Sequence, residues 1–99
     1  MIRHTVAFKL KHQSGSESES AFLAAAQVLA AIPTVRKFER LRQVGKKNAF
    51  TFGFSMEFAS QQDYDAYNVH PDHVHFVETR WKPEVLDFIE LDYVQYEPV

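Results

Sequence analysis

Residues 67–76 read YNVHPDHVHF, a tyrosine, three histidines and an aspartate around one proline. Histidine titrates near neutral pH and binds metals, so this stretch is denser in acid–base groups than any other in the chain. Three chemistries are open to it. In the first, His70 and His73 share a helix face and hold a metal, with Glu90 or Asp92 completing the set. His75 points elsewhere, and a zinc site wants three or four converging ligands. In the second, His73 acts as a base, Tyr67 donates to a carbonyl or enolate oxygen, and Asp92 or Glu90 orients a histidine. A histidine near a helix start is held toward the neutral, proton-accepting imidazole by the helix dipole. In the third, nothing is catalysed: His70 bonds backbone at a helix start, and His4, His73 and Asp92 form a polar network that fixes packing. The second and third stand level on the residues alone; the second, with no metal and no cofactor, is the one carried forward. Its catalytic pair is His73 and Tyr67, and His4, His70, Glu90, Asp92, Phe54 and Phe88 line or support the same pocket.

The elements that must position these groups are legible along the chain. Ile2–Leu10 alternates, with Ile2, His4, Val6, Phe8 and Leu10 on one face, as a half-buried strand does. A serine–glutamate loop follows, in which Ser16 or Ser18 caps a helix whose apolar positions run from Phe22 to Ile32. Pro33 stops it. Residues 35–44 predict a second strand, short or bulged because Phe38, Leu41 and Val44 do not alternate cleanly. Residues 45–48 form a turn, and 49–58 predict the clearest strand, with Phe50, Phe52, Phe54, Met56 and Phe58 in one row. Ser60 caps a helix to Tyr67. Pro71 opens another that runs to about Trp81 and ends at Pro83. Residues 85–94 form the last strand, with Leu86, Phe88, Glu90 and Asp92 on one face.

The order β-α-β-β-α-(α)-β predicts a ferredoxin-like α+β fold: a four-stranded antiparallel sheet, first and third strands central, with helices on one face. The aromatic row of the third strand must face the helices. The opposite face then carries Thr5, Ala7, Thr51, Gly53 and Ser55, with Ile89, Leu91 and Tyr93 beside them. Small residues at the centre and bulky ones at one edge suit a second copy docked sheet to sheet, so a homodimer is expected through this open face. On the helix side, His4, Glu90 and Asp92 break an otherwise apolar surface. Unpaired carboxylates are not tolerated in such a place, so these groups pair or border a cavity.

Composition bounds the rest. Ninety-nine residues make a single domain. A chain this short buries only roughly 60–65% of its unfolded surface, so a partner subunit helps it. A net charge of −2 with no long basic run argues against nucleic-acid binding. The absence of cysteine excludes disulfides and thiolate chemistry. No stretch reaches the ~18–20 apolar residues of a membrane span, and residues 1–11 do not read as a signal peptide. A cytoplasmic location is the expectation.

The segments IRHTVAFKLK, IPTVRKFE, FTFGFSMEF, YNVHPDHVHF and VLDFIELDYV together resemble the stress-responsive α/β-barrel (Dabb) domain family, of the dimeric α/β-barrel superfamily, over nearly the whole chain. The tyrosine, histidine–proline and histidine–valine pattern is also similar to that of plant polyketide cyclases of the olivetolic acid type. That resemblance implies a catalytic pair at Tyr67 and His73, His4 on the pocket wall, and Asp92 as the aspartate of the terminal motif. It places the histidine before proline at His70. Glu90 stands where an apolar residue is expected, and Asp72 and His75 where small ones are, so the pocket is more polar than a cyclase's. The reading that follows is a small-molecule-binding protein with acid–base activity on a carbonyl, phenolic or polyketide-like compound, as a cyclase, isomerase or lyase. The alternative is a non-catalytic stress-linked binding domain, and the third a cofactor-free monooxygenase.

Overall fold

Strand β1 (Ile2–Leu10) keeps the expected period of two: His4, Val6, Phe8 and Leu10 are buried, and the residues between them are not. The structure is a computed structural model and describes residues 1–97. Helix α1 (Glu17–Ala25) starts where Ser16 Oγ accepts from the Glu19 amide at 3.2 Å. The Glu19 carboxylate reaches back to the Gly15 amide at 3.1 Å, so two amide groups at the helix start are satisfied reciprocally. The helix tightens into a 3₁₀ stretch over Ala26–Ala31 before Pro33, and Phe22, Ala26, Leu29 and Ile32 form its buried stripe.

Strand β2 (Arg36–Arg42) is irregular, as its poor alternation predicts. Its register with β3 (Phe52–Phe58) shifts between Arg36 and Glu39, and Lys37 within the bulge adopts φ 51°, a left-handed conformation unusual for a residue with a side chain. β3 begins three residues later than its alternation suggests. The Gln43 side-chain amide lies within hydrogen-bond distance of the carbonyls of Gly45 and Phe50 and of Asn48 Oδ1, so side chains brace the connection beside the backbone bonds from Gln43 N–H to the Thr51 carbonyl and from Thr51 N–H to the Phe8 carbonyl.

Helix α2 (Gln61–Val69) is capped by Ser60, whose Oγ accepts from the Asp63 amide at 3.1 Å. Helix α3 (Pro71–Phe76) begins with proline at its first turn, where a missing N–H costs nothing. It then widens into a π-helical turn, Val77–Trp81, and closes with one α turn, Lys82–Glu84. Pro83 therefore sits inside the last turn instead of beyond it. The wider preceding turn accommodates a residue that can neither donate its amide nor fit the regular ladder. Strand β4 (Val85–Tyr93) completes the sheet.

The sheet order is β2-β3-β1-β4, entirely antiparallel, with β1 and β3 central as expected. This is the ferredoxin-like α+β fold. Among the described residues the helices lie on one face, and the shortest axis of 17 Å fits two layers. The core between them is built from Phe8, Phe22, Phe52, Phe54, Met56, Phe58 and Phe76, with Trp81 packed edge-on to Phe8 at 5.1 Å. Phe50 precedes the strand and stays half-buried outside this core. Among the described residues no helix is long and apolar enough to cross a membrane.

Candidate functional site

Between the helix-side face of the sheet and the helical layer lies a cavity of about 650 Å³. Strand register orders the inward-facing residues of its sheet wall from polar to apolar, and Lys82 and Asp87 also line it beside Trp81 and Phe88. Along β4 the cross-strand pairs are Asp92–His4, Glu90–Val6 and Phe88–Phe8. The helical layer follows the same gradient. Tyr64, Tyr67 and His73 stand near the His4 end, and Phe76, Val77 and Trp81 near the Phe88 end. Leu86 and Phe88 are half-exposed, so the cavity opens beside the unpaired edge of β4.

Tyr67 and His73 come together because the chain breaks at His70, between α2, which runs two residues past Tyr67, and α3. The Tyr67 ring is 2% exposed, and its centroid lies 4.2 Å from that of His73. His73 Nδ1 is 3.1 Å from the Asn68 carbonyl oxygen. A carbonyl only accepts, so Nδ1 carries the proton and Nε2 holds a lone pair. Burial lowers the pKa of His73 below its ordinary 6.5, opposed by its hydrogen bond to the Asn68 carbonyl. The ring is thus neutral and able to take a proton. Burial, reinforced by the charge of Glu90, raises the pKa of Tyr67, which keeps its hydroxyl a donor.

His4 is held differently. Its Nδ1 lies 2.6 Å from Asp92 Oδ1, and the Tyr64 hydroxyl is 2.9 Å from the same nitrogen and donates to Asp92 Oδ2 at 2.8 Å. Tyr64 stacks on Phe58, centroids 4.8 Å apart and planes 5° off parallel. Burial, then the hydrogen bond to and the charge of Asp92, raise its pKa as well.

Residues 2–95, which carry every one of these side chains, match the model of the stress responsive A/B barrel domain, Dabb. The chain belongs to that family. A curated relative in Arabidopsis thaliana, a stress-response A/B barrel domain-containing protein, is 27% identical over 96 residues. These make up 95% of this chain but 36% of the plant protein, so the chain spans about a third of that relative. Among solved structures, a Dabb family protein of Mesorhizobium loti is 56% identical with a TM-score of 0.96, over 97% of each chain. A dimeric ferredoxin-like protein of Thermobifida fusca is 20% identical, TM-score 0.78, over 95% of this chain and 90% of that one. A hydroxynitrile lyase of Passiflora edulis is 18% identical, TM-score 0.83, over 99% and 95%. At such identities the last two show the shared fold.

Within this Dabb chain, His4, Tyr67, His73, Glu90, Phe54 and Phe88 all stand on the cavity wall. Asp92 stands behind His4, its side chain 41% exposed. His70 does not reach the cavity. Its Nδ1 accepts from the Asp72 amide at 3.1 Å, so it caps α3, the backbone role open to a histidine before proline. His75 is exposed on the outer side of α3. Among the described residues no three His, Asp or Glu are grouped to hold a metal. Sequence reasoning missed Tyr64, which binds both His4 and Asp92. The available signal was its spacing: Tyr64 and Tyr67 are the two aromatic residues of a largely polar helix, three apart and on one face. It also missed Trp81, which touches Phe8, Phe22, Phe54 and Phe88 at the apolar end of the cavity.

Proposed function

We propose that the cavity binds a small carbonyl or phenolic compound and performs cofactor-independent acid–base chemistry on it. The observation that supports this most is the neutral His73 ring set against Tyr67 in one wall. In the step we envisage, His73 Nε2 takes a proton from a carbon beside a carbonyl. The C–H electron pair becomes a C=C bond, and the carbonyl π pair moves onto oxygen, where the Tyr67 hydroxyl donates a hydrogen bond. His73 then returns the proton at another atom. Cyclisation, isomerisation and lyase reactions of aromatic or polyketide-like compounds pass through such enolates, and the apolar half of the cavity suits an aromatic or alkyl body. The motif's similarity to plant polyketide cyclases supports the roles of Tyr67 and His73. The Passiflora protein, by name a lyase for hydroxynitriles, shares this fold and is in keeping with the reading.

The working unit is a homodimer of this single domain, joined through the open sheet face. Register lines up Leu41, Gly53, Ala7 and Ile89 in one row across all four strands, and Glu39, Ser55, Thr5 and Leu91 in the next. Ile89, Leu91 and Tyr93 are 45–51% exposed there, more apolar surface than a chain this small leaves to water without cause. The Thermobifida protein, dimeric by its description, is in keeping with this.

The test is hydrogen exchange at carbon next to carbonyl groups, followed by NMR in D₂O over a panel of cyclic diketones, acyl phenols and linear polyketones. A compound whose exchange is accelerated should lose that acceleration by roughly 10²–10⁴-fold in His73→Ala and Tyr67→Phe, with fold and dimer intact. Compounds that bind without any accelerated exchange or turnover would replace this reading with the non-catalytic binding domain.

A further inference from the structure

We infer that Tyr64 is a positioning residue. Its hydroxyl pins the Asp92 carboxylate to His4 Nδ1, so that His4 offers Nε2 to the cavity as a second proton acceptor, on the sheet wall. Asp92 belongs to an edge strand and is 41% exposed, where a carboxylate held at one oxygen would swing into water. It is held at both: Oδ1 lies 2.6 Å from His4 Nδ1, and Oδ2 receives the Tyr64 hydroxyl at 2.8 Å. An ionised carboxylate only accepts, so the shorter contact requires the His4 proton on Nδ1. The Tyr64 proton is committed to Oδ2 and does not compete for that nitrogen. Stacking on Phe58 fixes the Tyr64 ring from the other side.

His73 reaches the same tautomer through a backbone carbonyl. The cavity therefore has two imidazole acceptors on two walls, one backed by a carboxylate and one by an amide. Resting on the acid–base reading above, this arrangement suits relocation of a proton within one ligand. One imidazole takes a proton from the first position while the other, in its protonated form, delivers one to the second, with no net gain or loss. Tautomerisation of a dicarbonyl or of a dearomatised phenol is the class of reaction that needs it.

The proposal is tested without any ligand, so its failure is separable from failure of the proposed activity. Histidine-labelled full-length protein is examined by ¹⁵N NMR at pH 8, where the imidazole nitrogen shifts report the tautomer. Wild type should show His4 protonated at Nδ1. Tyr64→Phe, which retains the stacking ring, should give a mixture of tautomers, and Asp92→Asn should shift His4 toward the Nε2–H form. His73 should keep its tautomer in both variants. An unchanged His4 tautomer in Tyr64→Phe, or an Nε2–H tautomer in wild type, overturns the proposal. Should Tyr64→Phe fail to fold, the wild-type Tyr64 hydroxyl proton decides: slow exchange with water and a contact to His4 support the pinning, and exchange too fast to observe overturns it.

Discussion

The two faces of the sheet are made by the same strands and could hardly differ more. On the helix side, the centre is filled by Phe8, Phe52, Phe54 and Phe58, all at or below 4% exposure, and the polar groups gather at one end beside β4. On the other side, the centre holds Ala7, Gly53, Thr5 and Ser55, and the apolar bulk lies at the β4 edge in Ile89, Leu91 and Tyr93. A strand that alternates every residue writes two surfaces at once. Large side chains in the middle of one face make a core that must be covered by helices. Small side chains in the middle of the other make a shallow surface that a matching sheet can approach to ~10 Å. Gly53 shows how tight that centre is, since a Cβ there would meet the Val6 carbonyl oxygen at 3.2 Å.

The comparison breaks most visibly in the core. Phe8→Ala removes a ring with no exposure that touches Phe22, Phe52, Phe54 and Trp81. It should cost roughly 3–5 kcal/mol of stability in denaturant unfolding, because the surrounding aromatics cannot collapse into the space. On the open face the reverse is expected. Leu91→Arg should leave the subunit folded but weaken the dimer by roughly a hundredfold or more, read by sedimentation, since an unpaired charge has to be buried between sheets. Gly53→Arg should act in the same direction, with an added penalty inside the subunit from the Val6 contact. A wild-type monomer at high micromolar concentration would remove the open face as an interface.

The smallest effect concerns the polar end of the helix-covered face. Burial lowers the folded-state pKa of His73 below its ordinary 6.5. The unfolded chain therefore binds more protons in the interval between that lowered value and 6.5, and stability falls as pH drops through it. His73→Asn should flatten the pH dependence of the melting temperature in this window. Glu90→Gln should sharpen it, because the negative charge of Glu90 favours the protonated ring and its removal lowers the His73 midpoint further. A titration by NMR in which Glu90→Gln raises that midpoint would show that Glu90 does not face His73.

Much of the site was legible before any coordinate. Strand periodicity put His4, Glu90 and Asp92 on the helix side, and the strand order put the last strand beside the first; the register then chose Asp92 rather than Glu90 as the partner of His4. Pro71 signalled a break between the helix that carries Tyr67 and the one that carries His73, a bend that can turn both side chains into one cavity. The tyrosine that completes the His4 network was not legible. Tyr64 is one turn from Tyr67, and spacing gives both the same inward direction. Which neighbour each hydroxyl meets depends on how far the helix sits along the sheet, a distance that no local pattern carries.

His70 and Pro83 teach the same division from the other side. A histidine before proline is compatible with a pocket, a metal or a cap. The extended backbone of His70 (ψ 134°) turned its ring onto the Asp72 amide and settled the cap. Proline reads as a helix stop, yet a π turn packed through Trp81 onto Phe8 carried the helix one residue past it. Sequence by itself determined the two faces of the sheet, the order of elements and the residues available for proton transfer. Alternation, caps and prolines act over a few residues and are written locally. Tertiary structure alone decided which of those residues share a cavity, which nitrogen of His73 faces the Asn68 carbonyl, and that Tyr64 meets Asp92. Those outcomes depend on contacts between groups far apart in sequence, such as Tyr64 and Asp92, whose geometry is set only when helix and sheet pack.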